Sequence, residues 1–393
     1  MLSERIDFRP EDDAVLFAGV PASPAVFLLR GNDSAAEPYV SKTANLRRRL
    51  QRLLSLPEER TKRLNLRDRV RFIEYTLTGS DFESGFLLYQ LFRAVFPKTY
   101  AQRLRLRFAP LVKLHMENEY PRASITTRLA GRMGSGKNIY YGPFPSRVAA
   151  EKFLNDALDF FKMRRCVEDL HPDPAFPGCV YSEMKMCLAP CFRGCTDEAY
   201  HAEVVRVEDF LATRGESLKR QWSAERDDAS AKLEFEGAAA IHARLDKLAP
   251  VLQQMPEAVH RLDQLRALIV QKSAQAESVA FFRVDAGAIA GPLHFPISAP
   301  EHTKTQSMEA RIQEALAAFS AAEPRSAIER MEHLAMLRRW VYRGTRAGEI
   351  FFADSHADGQ LPMRRIVRGI GRVYKGEAPE PQATSEPAKP AAQ

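Results

Sequence analysis

The chain has 393 residues, 45% of them hydrophobic and 27% charged, enough for about two to four domains with cores of their own. No stretch reaches the ~18 apolar residues of a membrane span, and the start "MLSERIDFRPEDDAV" has no apolar run behind a basic flank. These features exclude membrane-spanning, collagenous and coiled-coil classes and lead us to expect a cytoplasmic globular protein with no membrane partner.

Net charge is +7, and much of it is local: from Lys42 to Arg71 eleven Lys or Arg face three acids. Arginine predominates, and its planar donor fork suits phosphate. Arg47, Arg48, Arg49, Arg52, Lys62 and Arg63 are therefore candidate nucleic-acid contacts, against the plainer reading of a solvated basic face.

In chain order, residues 13 to 30 read as an apolar approach, a Pro-containing turn and the strand "AVFLL". A second strand, "PYVSK", precedes a helix from about Thr43 with Leu46, Leu50, Leu53 and Leu54 on one face. "RVRFIEYTLT" alternates as a strand does, and Ser80 with Glu83 forms a capping-box pattern opening the helix "DFESGFLLYQLFRAVF", which Pro97 ends. "PRASITTRL" and "NIYYGPF" are strand-like, and "SRVAAEKFLNDALDFFKMR" is a helix leading into Cys166. From His201 to about Leu248 the pattern is helical. Strands "SVAFFRVD" and "AIAGPLHF", two helices between 305 and 342, and strands at "GEIFFAD" and "RIVRGIGRVY" follow. The Pro/Ala/Glu-rich residues 377–393 read as a disordered tail.

The expected fold is an α/β (α+β) multidomain chain: a small α/β domain at 1–100, a cysteine-rich domain at 101–200, a helical hairpin at 201–250 and a small α/β domain at 270–376. "GRMGSGKN" at 131–138 has phosphate-loop spacing, but Asn138 replaces the Ser or Thr that would hold magnesium and a strand follows instead of a helix, so a hairpin turn is expected.

All five cysteines fall between Cys166 and Cys195. Clustered thiols in a chain read as cytoplasmic point to metal binding or catalysis before a disulfide framework. Cys166, Cys179, Cys187 and Cys191 make a four-thiolate set that suits tetrahedral zinc or a four-iron cluster, and spacing alone does not choose between them. His171 and His201 read as surface or packing residues.

The segments "SPAVFLL", "YVSKTANLRRRL", "YPRASI", "YYGPF", "RRC", "CVYSEMKMCLAPC", "DEAYHAEVVRVEDFLATRG" and "LEFEGAAAIHARLDKL" together resemble the N-terminal half of the bacterial excinuclease UvrC family, continuously from about 18 to 250. The resemblance implies a GIY-YIG nuclease domain in the first hundred residues and an iron–sulfur site, read as 4Fe-4S with zinc as the alternative. It also implies a UVR-type helical hairpin that docks on the excinuclease's B component (UvrB) or a similar repair helicase. Double-stranded DNA is the implied substrate, with Mg or Mn bound only where the nuclease is active. Tyr39 then matches the general base for the attacking water, and Lys42 and Arg49 match residues contacting it or the phosphate.

Three positions depart from that pattern. Phe27 stands for the motif's first tyrosine, Ser41 for a glycine, and Leu88 for the metal-binding glutamate, which leucine cannot replace as a ligand. Neither Glu83 nor Asp81 reaches the same spot on an ideal helix. The expectation is therefore a DNA-binding repair protein with an impaired centre; an active single-incision endonuclease and a structural or RNA-binding protein are the alternatives. In the hairpin, Leu233, Phe235 and Ile241 are candidate partner contacts. Beyond 250 neither a ribonuclease-H-type acidic triad nor a helix-hairpin-helix signature is seen; Asp285, Asp354 and Asp358 read as turn residues, and Arg338, Arg339, Arg364, Arg365, Arg368 and Arg372 give a basic cast.

Overall fold

The computed structural model describes residues 2–33, 35–56, 64–130, 136–298, 306–319, 326–353 and 359–378. Lys62, Arg63, the first five residues of the "GRMGSGKN" stretch, Asp354, Asp358 and nearly all of the expected tail lie outside them. Among the described residues the architecture is mixed α/β, with three four-stranded sheets and helices between and around them.

The first sheet pairs β1 (Glu4–Asp7), β2 (Ala25–Arg30), β3 (Tyr39–Thr43) and β4 (Phe72–Leu77) in the order β1-β4-β2-β3, every pairing antiparallel. Phe27 and Leu29 of β2 meet Leu46, Leu50, Leu53 and Leu54 of α2 (Leu46–Leu54), the leucine face that the helical spacing implies. Residues 13–19, which lack enough length for a clear period, form α1 (Asp13–Gly19) instead of an irregular approach, and Phe17 joins the same core.

Ser80 caps α3 (Asp81–Val95) by accepting from the Glu83 amide, while the Glu83 carboxylate accepts from the Gly79 amide at 2.8 Å. The apolar residues of α3, Phe82, Phe86 and Tyr89, pack with Phe282, Leu334 and Trp340 of the C-terminal unit. This helix thus ties two units that lie far apart in sequence, and the short α4 (Tyr100–Leu104) follows it. The tie is also polar: buried Glu332 accepts from Tyr89 at 2.6 Å and Tyr100 at 2.7 Å.

The second sheet contains β5 (Leu111–Leu114), β6 (Ala123–Thr126), β7 (Ile139–Gly142) and the two-residue β8 (His260–Arg261) in the order β6-β5-β7-β8. Its core is completed by α5 (Arg147–Leu158), then, past the short α6 (Val180–Glu183), by α7 (Asp197–Ala212), α8 (Glu216–Ala231) and α9 (Phe235–Gln253). Between α8 and α9 the chain reverses at Leu233, whose φ of 61° is the left-handed conformation that ends a helix.

The third sheet runs β11-β10-β9-β12, from β9 (Arg266–Lys272), β10 (Ser278–Asp285), β11 (Ala288–Pro296) and β12 (Glu349–Phe352), again antiparallel throughout. The unit therefore starts with β9, at residue 266. Asp285 sits at the β10–β11 turn, as its sequence context implies. One face of the sheet carries α11 (Ala327–Val341), the other α10 (Met308–Ala318) and α12 (Met363–Lys375).

Helix α12 overturns the strand expected at "RIVRGIGRVY". Its isoleucines and valines favour a strand by type, but Ile366, Ile370 and Val373 recur at helical spacing and are the buried ones, whereas a strand would bury alternate residues. Gly369 lets the helix approach closely: a Cβ there would lie 2.3 Å from the Phe351 ring.

Candidate nucleic-acid interface

Two neighbouring elements build the basic site. Strand β3 presents Tyr39, Ser41 and Lys42, and the turn after it ends at Asn45, whose side chain caps α2 by accepting from the Arg48 amide at 2.9 Å. The cap fixes where α2 begins, and so places Arg49 one turn in, where its guanidinium donates to the Tyr39 hydroxyl at 2.6 Å. Lys42, Asn45, Arg48, Arg49, Arg52 and Leu64 line a cleft of about 880 Å³, and no carboxylate is among its described lining residues.

The candidate contacts separate by geometry. Arg48 and Arg52 are exposed and Arg49 half-buried in the cleft. Arg47, by contrast, donates to the carbonyls of Val20 at 2.8 Å and Ala18 at 3.2 Å, bolting α2 to the end of α1. Phe27 is fully buried with its ring 6.1 Å from that of Tyr39, and Ser41 donates to the Lys42 carbonyl at 3.3 Å.

Leu88 is half-buried on α3 and lines neither this cleft nor its neighbour. Among the described residues, the carboxylate in contact with the site is Asp81, which Lys42 meets at 2.5 Å and Arg343 at 2.7 Å. Burial draws its pKa upward, but the Lys42 and Arg343 cations prevail and hold the carboxyl below its ordinary value. Glu83 behaves oppositely. It is 2% exposed, and burial pushes its carboxyl up to about 7 against the opposing pull of the Gly79 amide.

A second cleft, of about 820 Å³, opens between the first and third sheets and shares Lys42, Thr43 and Ala44 with the basic one. Gly79, Asp81, Lys272, Arg346 and Gly376 line it. The units touch through backbone here: a Cβ on Gly79 would fall 2.1 Å from the Lys272 carbonyl oxygen. Sequence reading missed Arg343 and this contact, because both join residues more than 190 positions apart and leave no local signal.

The five cysteines are all free and half-buried. Cys187 is pushed up to about 11 by burial, opposed by a hydrogen bond from the Ala189 amide and reinforced by the neighbouring thiols of Cys166, Cys191 and Cys179. Those four therefore share one neighbourhood. Cys195 lies near Cys191; burial, then Asp197 and Cys191, raise its pKa. Among the described residues, no three His, Cys, Asp or Glu side chains gather at the spacing of a single metal ion.

Beside Cys166 lies a buried cation. Arg164 is 1% exposed, and its guanidinium donates to the carbonyls of Tyr120 at 2.9 Å and Glu168 at 2.8 Å and to the Cys166 sulfur at 3.4 Å. A buried cation is costly without negative charge beside it, and thiolates would supply that charge. Lys185, Ala189 and Arg193 all take positive φ within this loop, backbone that only strong surrounding constraints maintain.

In the helical pair, Leu248 is buried and Ile241 packs inward, whereas Leu233 and Phe235 are 71% and 65% exposed at the tip. No helix among the described residues is long and apolar enough to cross a membrane.

Residues 109–210 match the family model described as the UvrC/Cho excinuclease middle domain. The chain is similar to UvrABC system protein C of Rickettsia rickettsii (strain Sheila Smith), 29% identical over 273 residues, covering 69% of this chain and 42% of that protein. It is 30% identical over 275 residues to UvrABC system protein C of Rickettsia felis, covering 69% of this chain and 41% of that one. The chain thus spans about 42% of the length of such relatives. No solved structure matches it. These matches establish family-level homology between this chain and the bacterial UvrC proteins of the UvrABC system.

Proposed function

We propose that the chain is a UvrC-like DNA-repair protein of the nucleotide excision repair type that holds damaged or distorted duplex DNA through the β3–α2 corner, with an impaired GIY-YIG-like centre. The carrying observation is the cleft itself: four cationic residues, Lys42, Arg48, Arg49 and Arg52, line it with no carboxylate among the described lining residues, and Asp81 at its edge is held by Lys42 and Arg343. Such a lining attracts phosphates, releases their counterions and lacks a hard ligand for a divalent ion. Tyr39 and Arg49 would bind and orient a backbone phosphate; Arg49 already holds the Tyr39 hydroxyl as an acceptor, leaving the phenolic proton free to be directed elsewhere.

We assign Cys166, Cys179, Cys187 and Cys191 to an iron–sulfur centre, 4Fe-4S in the first instance and zinc in the second. What supports this is Arg164, buried beside Cys166 with no carboxylate among its described side-chain partners, together with the strained loop. When bound, the group would act as a structural clasp between the second sheet and α7. The exposed Leu233 and Phe235 would anchor a UvrB-type partner.

The test is equilibrium binding of an adducted duplex by the wild type and by Arg48→Gln/Arg52→Gln. Binding that weakens with salt, with a slope reduced by about 1.8 in the double variant, supports the reading at ~0.9 per phosphate contact. Absence of duplex binding, or stronger binding to structured RNA, overturns it.

A further inference from the structure

The charged face of α12 remains unused by this reading. Its sequence, MRRIVRGIGRVYK, contains no acid. One side is committed to the core through Ile366, Gly369, Ile370 and Val373. Arg372 is committed as well, forming two 2.8 Å contacts with Glu349, which is 5% exposed. Arg338 on α11 is likewise spent on the carbonyl of Pro145 at 2.9 Å. Arg364, Arg365 and Arg368 differ: all three are exposed and none is in an ion pair described for the molecule.

Spacing gives these three a common direction. Residues 364 and 368 are four apart and 365 and 368 three apart, so they share a face, spread over about 6 Å of helix axis at 1.5 Å per residue. Like charges at such spacing repel one another, and a polyanion laid across them relieves the repulsion. Arg364 and Arg365 also occupy the first turn of α12, the end at which the helix dipole disfavours cations, so their charge brings the isolated fold no benefit. The location matters too, because Val373 and Gly376 at the other end of α12 line the second cleft with Lys42, Thr43 and Ala44, which are shared with the basic cleft.

We propose that Arg364, Arg365 and Arg368 form a second phosphate-binding surface, which takes the backbone of the same DNA duplex at a point removed from the β3–α2 cleft. This rests on the DNA-binding reading above and extends its footprint onto the C-terminal unit. Contacts of this kind position the duplex and carry no sequence preference.

The experiment is fluorescence anisotropy of the full chain with a labelled duplex of random sequence across a salt series, comparing the wild type with Arg364→Gln/Arg365→Gln/Arg368→Gln. All three side chains are exposed, and an unchanged melting curve confirms that the fold is intact. The salt slope should fall by about 2 to 3, and the loss should add to that of Arg48→Gln/Arg52→Gln. A wild type that binds no duplex overturns the underlying reading. A wild type that binds with a slope the triple substitution leaves unchanged overturns this assignment alone. Sedimentation with phosphatidylserine vesicles supplies the remaining arm: vesicle binding that the triple substitution abolishes, with DNA binding untouched, identifies a lipid surface and also overturns it.

Discussion

The β3–α2 corner and the cysteine loop are both rich in groups suited to bind something, yet they are built in opposite ways. At the corner, regular elements hold each side chain: β3 sets Tyr39, the Asn45 cap sets Arg49, and Arg48 and Arg52 face water, where charge needs no partner. In the cysteine loop, thiols are half-buried on irregular backbone with three non-glycine residues at positive φ, and Arg164 is buried against carbonyls and a sulfur. The contrast teaches that an exposed basic site is complete as folded, whereas a buried cation beside thiols is complete only when those thiols are negative.

The largest effect should come from breaking the second region. Cys187→Ser should cost on the order of 4 kcal/mol or more and expose residues 166–195 to protease, with metal content falling together with stability. Chelation of the wild type should reproduce it. If Cys187→Ser melts with the wild type and carries the same metal per chain, the clasp is excluded.

Next in size is Glu83, which sits where the corner meets the third sheet. Its folded pKa of about 7 lies above the ordinary value of 4.5, so the folded state holds the proton more tightly. Stability should therefore be lost as pH rises from about 4.5 through 7, by up to about 3 kcal/mol at 1.36 kcal/mol per unit. Glu83→Gln keeps an acceptor for the Gly79 amide and cannot ionise, so its denaturant midpoint should exceed that of the wild type at pH 8 and converge with it near pH 4. A wild-type advantage at pH 8 would contradict this.

A smaller pair of effects sharpens the division within α2. Arg47→Ala should cost about 1–3 kcal/mol, because it removes charged hydrogen bonds to Val20 and Ala18, and leave the salt slope of DNA binding unchanged. Arg52→Ala should do the reverse, with a stability change within about 0.5 kcal/mol and a slope lower by ~0.9. Urea titration and anisotropy on the same samples distinguish them. Smallest for the fold is Phe235→Ala, expected to shift stability by less than about 0.5 kcal/mol because the ring is 65% exposed, while abolishing capture of purified UvrB. Capture that survives the substitution moves the docking site elsewhere.

How much of this was legible in the sequence follows the same contrast. The leucine period of α2, the Ser80 cap and the helical pattern from His201 to about Leu248 are local, and they reappear as structure. Arg48, Arg49 and Arg52 were legible as a basic face because charge density along one helix is a local property. Arg47 was not separable from them, since its role depends on Val20 and Ala18, which only the fold brings near. Asp81 and Arg343 meet across 262 positions for the same reason. At α12, β-branched residues suggested a strand by type while their spacing was helical, and spacing proved decisive because it determines which side chains face Phe351 and the rest of the core.

Strand scission tests the central claim most directly. Purified protein should be incubated with an adducted duplex and Mg or Mn at a salt concentration where anisotropy shows the duplex bound. Full-length strands should be recovered from wild type and Tyr39→Phe alike if, as proposed, the β3–α2 cleft holds phosphate with its cations, because no carboxylate is among its described lining residues. Metal-dependent nicking by the wild type that disappears in Tyr39→Phe would contradict it, and would make the corner a working nuclease centre.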